Sequence, residues 1–356
     1  MKTGKTLKEV AAELQRQADA KRDYIAPLSN MKLFDDGYTV EISSTGKNEK
    51  MQLGSTSLFH KQMASVLGIP TRYYETMQQQ KPDLLADNVN AWLGDKDYSS
   101  MVRTMDYGDG VYRARALLSE RYRRIDNLEI ASAVLPLFAG NDQYEVASAD
   151  VTPGHLFLKI VNHRLEKEVV PGDIVQAGVV VSNSEVGLGA VSVKPLVYRL
   201  VCSNGAIVDD FGERRTHVGR AAKAIEDSLA IYSDETIEAE DKAFMLKLRD
   251  ATMAAIEESR FAQIVDKLKE SVGVPITGRV QDVVELTGKT YGLTQNEQDG
   301  VLNYLIQGGD LSLYGLSNAV TRASQDIESY DRATDLEAIG WKVATMPSAQ
   351  WREINA

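Results

Sequence analysis

The sequence predicts an α+β fold: a central, mostly antiparallel curved sheet with helical insertions, then a helical, acidic C-terminal region. Residues 143–208 are dominated by Val, Ile, Leu and Tyr between turn residues, with connections too short for crossover helices, so their strands pair antiparallel. From about residue 217, apolar residues recur at three- to five-residue steps, a helical pattern. Charge is segregated along the chain as well: residues 226–270 hold twelve acids against six bases. These changes divide the chain into an α+β core with an N-terminal helix, residues 1–224, and a helical region, residues 225–356.

Each element follows from a local signal. Leu7, Val10, Ala11 and Leu14 share one face of a helix over 6–21. "YIAPLSNMKLF", "YTVEIS" and "KMQLGS" within 24–54 are short strands broken by Pro27, "DDG" and "STGKN". Thr56 caps "SLFHKQMASVLG", which Gly68 ends. "TRYYETMQQQ" and "PDLLADNVNAWLG" give two further helices, with Pro82 in a first turn and Gly94 at a stop. "SSMVRTM" and "VYRARALL" form a hairpin around Gly108, Asp109 and Gly110. Asp126 and Glu129 are spaced as a capping pair for "LEIASAVLPLF". Phe244, Leu248, Met253, Ile256, Phe261, Ile264, Leu268 and Val272 make one stripe on a long acidic helix that Gly273 and Pro275 end. Shorter helices are expected at 279–287, 294–306, 314–327 and 335–340.

Composition narrows the class. With 43% hydrophobic and 26% charged residues the chain reads as an ordinary globular protein rather than a disordered one. No apolar run approaches the roughly 18 residues of a membrane span, and the N-terminus reads as an amphipathic helix rather than a secretory signal. A single cysteine, Cys202, rules out an internal disulfide and a cysteine-based zinc site, and fits the reducing cytoplasm. The net charge of -11 opposes indiscriminate polyanion binding but leaves room for a local basic groove.

Such a groove is suggested by "RARALLSERYRR". Residues 103–124 contain six arginines (Arg103, Arg113, Arg115, Arg121, Arg123 and Arg124) against Asp106, Asp109 and Glu120. On an ideal strand, Tyr112, Ala114, Ala116 and Leu118 share one face and Arg113, Arg115 and Leu117 the other. Arginines two residues apart stand roughly 7 Å from each other, close to the phosphate spacing of an extended strand. Tyr107, Tyr112 and Tyr122 supply rings for stacking. The plainer alternative is a solvated strand face, pairing with acids of the same chain, or a contact between subunits. A second basic cluster, Arg214, Arg215, His217, Arg220 and Lys223, either clamps phosphates or opens a solvated helix.

Other motifs are weaker. The polar block Ser182–Glu185 with Gly187 and Gly189 is either a self-satisfied turn or a recognition loop. The four histidines, His60, His155, His163 and His217, lack metal-ligand spacing, and Cys202 reads as a small buried hydrophobe. A metal-dependent nuclease using Asp106, Asp109, Glu185 or His217 has no spacing in its favour. No catalytic residue, metal ligand or cofactor is therefore assigned, and the nucleic-acid candidates are the six arginines of 103–124 with Arg214, Arg215, Arg220, Tyr112 and Tyr122.

"LFHKQMASVLGIPTRYY", "LLADNVNAWL", "YRARALLSERYRRIDN", "GVVVSNSEVGLGAVSV", "LVYRLVCSNG", "HVGR" and "SLYGLSNAVTRASQD", in this order over roughly 25–345, resemble a phage/plasmid-related family known as a domain of unknown function. The resemblance implies a protein of phages, plasmids or prophages acting in the bacterial cytoplasm, with no catalytic residues to carry over. By analogy of plan alone, phage single-strand annealing proteins offer a model: a curved antiparallel sheet, a basic groove and an oligomeric ring. The first functional expectation is accordingly a non-enzymatic, oligomeric protein that binds or anneals single-stranded DNA. The second is a structural or interaction protein, such as a host-defence inhibitor, whose acidic helices are the working surface.

Overall fold

The computed structural model describes residues 1–43, 50–209, 213–215 and 234–356. Helix α1 (Leu7–Ala20) leads into strands β1 (Lys21–Pro27), β2 (Lys32–Leu33), β3 (Thr39–Ser43) and β4 (Lys50–Ser55). Helices α2 (Ser57–Leu67), α3 (Thr71–Gln80) and α4 (Pro82–Gly94) follow, then the hairpin of β5 (Ser99–Asp106) and β6 (Tyr112–Ser119). Helix α5 (Asn127–Val134) precedes β7 (Tyr144–Val151), β8 (Leu156–Val170), β9 (Asp173–Asn183), β10 (Val191–Arg199), β11 (Asn204–Ile207) and β12 (Glu213–Arg215). The C-terminal helices are α6 (Asp234–Ala255), α7 (Glu258–Val272), α8 (Val280–Tyr291), α9 (Gln295–Gly308), α10 (Leu313–Ala323), α11 (Tyr330–Ala344) and α12 (Ser348–Ile354).

The α+β class is as expected, and the strands divide between two sheets. The first has the order β1-β5-β6-β4-β3-β2 and is antiparallel except where β4 runs beside β6, at Gly54↔Arg113 and Ser55↔Ala114. The second, β11-β10-β9-β8-β7 with β12 on β10, is antiparallel throughout and curled into a half-barrel. The hairpin between β5 and β6 forms because Gly108 and Gly110 take positive φ, 103° and 77°, and because Asp106 Oδ1 accepts both of their backbone N–H groups.

Helices α2, α3 and α4 bury one face of the first sheet: Phe59, Met63, Tyr74, Leu85 and Val89 pack on Val40, Ile42, Val102, Ala114 and Leu117. Thr56 caps α2 through its hydroxyl, and Gly68 closes it in the left-handed region. The second sheet packs against α5 and α6 through Val179, Val181, Ile130, Phe244 and Leu248. Further along it meets α7, α10 and α11 through Phe261, Ile264, Tyr314 and the fully buried Trp341. Lys159 on β8 and Glu337 on α11, both 0% exposed, meet at 2.7 Å and pin α11 to the sheet.

Two helical expectations are corrected. The stripe from Phe244 to Val272 belongs to two helices, α6 and α7, broken at Ile256–Glu257. Met253 stands 39% exposed, off the buried face. The apolar spacing runs through the break, because both helices bury a face beside the same sheet, and spacing alone does not reveal the kink. The helix expected over 335–340 spans Tyr330–Ala344, and α12, not expected, is held by the buried Trp351 and Ile354.

Candidate functional site: the arginine stretch between two sheets

The pairing of β5 with β6 contains a bulge. Thr104 sits opposite Ala114 and Arg103 opposite Ala116, leaving Arg115 as the extra residue. The bulge corrects the simple alternation expected for this strand. Tyr112, Ala114 and Leu117 face the α2–α4 side. Ala116 and Leu118 pack instead with Met101 and Val186 on the opposite side. Arg115 is thereby turned toward Val186's neighbour Glu185, in the loop that follows β9.

The predicted arginines meet carboxylates there. Arg103 is 0% exposed; its Nε and Nη2 donate to Asp23 at 3.0 and 3.1 Å, Nη2 also to Asp126 at 2.9 Å, and Nη1 to the Glu185 carbonyl at 2.9 Å. Arg115, 5% exposed, donates to Glu185 Oε2 at 2.6 Å. Lys21 completes the group, 2.6 Å from Asp126 and 3.3 Å from Glu185. Glu185 Oε1 also accepts the Asn127 N–H at 2.7 Å, at the start of α5. Lys21, Arg103 and Arg115 balance Asp23, Asp126 and Glu185 in formal charge. Burial by itself would lower the Arg103 guanidinium, but Asp23 and Asp126 outweigh it and hold it above its ordinary value. Burial would likewise raise Glu185 and Asp126. Arg115 and Lys21 pull Glu185 below the usual carboxylate range, and Arg103 and Lys21 do the same to Asp126.

The "SNSEVGLG" loop is a self-satisfied turn that also joins the sheets. Ser184 Oγ accepts from the Val186 and Leu188 N–H groups. Tyr122 donates to the Ser184 carbonyl at 2.9 Å, and Gln62 to the Val186 carbonyl at 2.8 Å. Gly187 has φ 79°, which favours glycine, and a Cβ there would lie 2.6 Å from Leu118 Cδ2, so the end of the Leu118 side chain would have to shift. Gly189 lies against His155, whose Nδ1 is 2.5 Å from Asp331 at the start of α11.

The remaining candidates scatter. Arg123 pairs with Glu240 at 2.9 Å and with Asp241, so an arginine of the segment after β6 meets the acidic helix α6 within one chain. Arg113, at the hairpin end of β6, donates to Asp109 at 2.5 and 3.0 Å, which pulls the Asp109 carboxyl down to about 2. Tyr112 lies under Arg22, 4.6 Å from its guanidinium, and Tyr107 lies 5.9 Å from Arg113. Tyr122 is mostly covered, and burial pushes its phenol up, so it offers no free ring for stacking. Arg121 is exposed, and Arg124, 59% exposed, reaches within 3.6 Å of Asp23. Arg214 is exposed on β12 in the second sheet; Arg215 follows it there, and Arg220 and His217 lie outside the described residues. Tyr112 and Arg113 are separated from Arg121 and Arg124 by β6, whose eight residues span about 26 Å, so no continuous track forms among these residues.

Three partners escaped the predicted set altogether: Lys21, Asp23 and, as an ion-pair member, Asp126, which sequence spacing marked only as a cap. The cap itself is present. The nuclease candidates do not converge: Asp106 holds the hairpin turn, Asp109 pairs with Arg113 and Glu185 is buried in the network. Among the described residues no group of three or more His, Cys, Asp or Glu could hold a metal ion. His163 pairs with Glu145 at 2.8 Å, and His60 bridges Ser55 at 2.6 Å and Tyr74 at 2.9 Å. Cys202 is half-buried in the turn after β10, where Arg199 donates to its Sγ at 3.5 Å. No described helix is long and apolar enough to cross a membrane.

No curated protein and no solved structure matches the chain. A family model does match residues 115–321, which begin at the bulged Arg115, take in the whole second sheet and the "SNSEVGLG" loop, and end in α10. That match covers more than half of the chain, and the chain belongs to this family, the domain of unknown function DUF932.

Proposed function

We propose that the protein works by protein–protein contact through its helical surface, as a non-enzymatic interaction protein. The observation that carries this reading is the contrast between its arginines and its apolar surface. Arg103, Arg115 and Arg123 are engaged by carboxylates of the same chain. Large apolar side chains meanwhile stand on the outer helix faces: Leu84 52%, Trp92 48% and Leu246 47% exposed. The setting would be the bacterial cytoplasm, within a phage, plasmid or prophage programme, with the protein acting on a host or element-encoded partner or as a homo-oligomer. The test is fluorescence anisotropy of labelled oligo(dT) at low salt, beside light-scattering mass. This reading expects no salt-sensitive DNA binding. Tight binding that is lost when Arg22 and Arg113 are reversed to Glu would overturn it.

One observation favours single-stranded DNA as a second reading. Arg22 on Tyr112 and Arg113 on Tyr107 place two guanidinium–ring pairs at the hairpin end of the first sheet. Rings and guanidinium planes in that arrangement stack on bases without sequence preference. This contact would be short, since Arg121, Arg124 and Arg214 lie elsewhere, and oligomerisation would be needed to repeat it along a strand.

A further inference from the structure

Among the described residues, helix α4 is covered on one side only. Leu85, Ala86, Val89 and Leu93, none more than 1% exposed, pack into the core of the first sheet. The outward side carries Leu84, Asn88, Ala91 and Trp92, all exposed. Their spacing keeps them within an arc of about 100°. Leu84 and Trp92 lie roughly 12 Å apart along the axis, two turns of helix. They stand 52% and 48% exposed, so each presents about half of its surface to solvent. Asp83 and Asp87 border this stripe one turn apart, and Asp95 continues it past the helix end. No ion pair joins these three acids to a basic residue among the described residues.

We propose that this face is a docking site for a basic amphipathic helix of a partner protein. The proposal rests on the protein-contact reading above and names its partner class. Leucine and tryptophan two turns apart suit apolar anchors on a facing helix, and tryptophan is enriched where interfaces concentrate their energy. Asp83, Asp87 and Asp95 select lysine or arginine at the partner's flanks. The same acids oppose the alternatives: nucleic acid and anionic membranes would be repelled, and a second copy of this chain brings a net charge of -11.

The chain carries its own reporter. Of three tryptophans, Trp341 and Trp351 are 0% and 6% exposed, so solvent-sensitive emission comes from Trp92. The probe is a synthetic Leu/Lys peptide of about 18 residues, five helical turns, with leucine at i, i+3, i+4 and i+7. Its control has the same composition with leucines shuffled. With the full chain, the patterned peptide is expected to blue-shift Trp92 and shield it from acrylamide, binding at least about tenfold tighter than the shuffled one. Leu84→Asp, at an exposed position, should abolish this response with circular dichroism unchanged, and Asp83→Asn with Asp87→Asn should weaken it severalfold. Equal binding of both peptides, or an unchanged response in Leu84→Asp, overturns the proposal. If Leu246→Asp on α6 abolishes peptide binding while Leu84→Asp does not, this site is wrong and the protein-contact reading stands. If neither peptide binds and oligo(dT) does, both fall.

Discussion

Arg103 shows why a run of arginines in an acidic protein need not face solvent. Its guanidinium is removed from water and satisfied by two carboxylates and a carbonyl, so its charge is useful only while those partners remain. Replacing one member of such a buried group leaves the others uncompensated, and the cost is about 3–5 kcal/mol. Arg103→Met is therefore expected to lower the denaturant midpoint strongly, whereas Arg113→Glu, on an exposed pair, should leave it nearly unchanged. Equal shifts in urea titrations of the two variants would remove the structural role assigned to Arg103. His60 adds a pH effect. Burial lowers its imidazole from 6.5 to about 4, so below pH 6.5 the unfolded chain takes up a proton that the folded chain refuses. This contribution is constant above pH 6.5, declines as pH falls toward 4 and levels off below, a loss of about 3 kcal/mol in all. His60→Gln should be less stable at neutral pH and lose this part of the pH profile; the check is chemical unfolding at a series of pH values.

At the scale of elements, the sequence reveals what is local. Thr56 and Gly68 around α2, Asp126 and Glu129 at α5, and the glycines of the β5–β6 turn act through neighbours within a few residues, and each does what its spacing indicates. The bulge at Arg115 is not local in this sense. It exists only in the pairing with Arg103 and Thr104, and from Ala116 onward it reverses the faces that alternation assigns. The break between α6 and α7 escapes for the opposite reason: no glycine or proline interrupts residues 250–260, and the apolar steps continue. The loop after β9 can be tested as an element. A methyl group at Gly187 meets both a positive φ and Leu118, so Gly187→Ala should cost about 1–3 kcal/mol. Gly110→Ala, at positive φ in the hairpin with open space around it, pays the backbone cost alone and should cost less. Thermal midpoints of the two variants check the order, and a reversed order would mean that the loop is not held against Leu118.

At the scale of the whole molecule, the candidate site turns out to be a junction. Lys21 and Asp23 come from β1, Arg103 from β5 and Arg115 from β6, all in the first sheet; Glu185 comes from the loop after the second sheet's β9, and Asp126 from the cap of α5. These residues are up to 164 positions apart, which is why the arginines were legible in the sequence and their partners were not. Glu185 is the member through which the second sheet reaches the first, and it touches Lys21, Arg115 and α5 at once. The two sheets should therefore unfold together in the native protein. Glu185→Ala leaves three buried cations against two carboxylates and removes the link, so the two halves should melt apart. The first sheet is followed by Trp92 emission and the whole chain by far-ultraviolet circular dichroism. In the native protein the two curves should coincide; in Glu185→Ala they should separate. Acid should act in the same direction. Glu185 and Asp126 are held below the usual carboxylate range, so their contribution is complete above the unfolded pKa and is lost as pH falls through the folded one. Coincident curves in Glu185→Ala, merely shifted to lower temperature, would show that apolar packing alone couples the sheets.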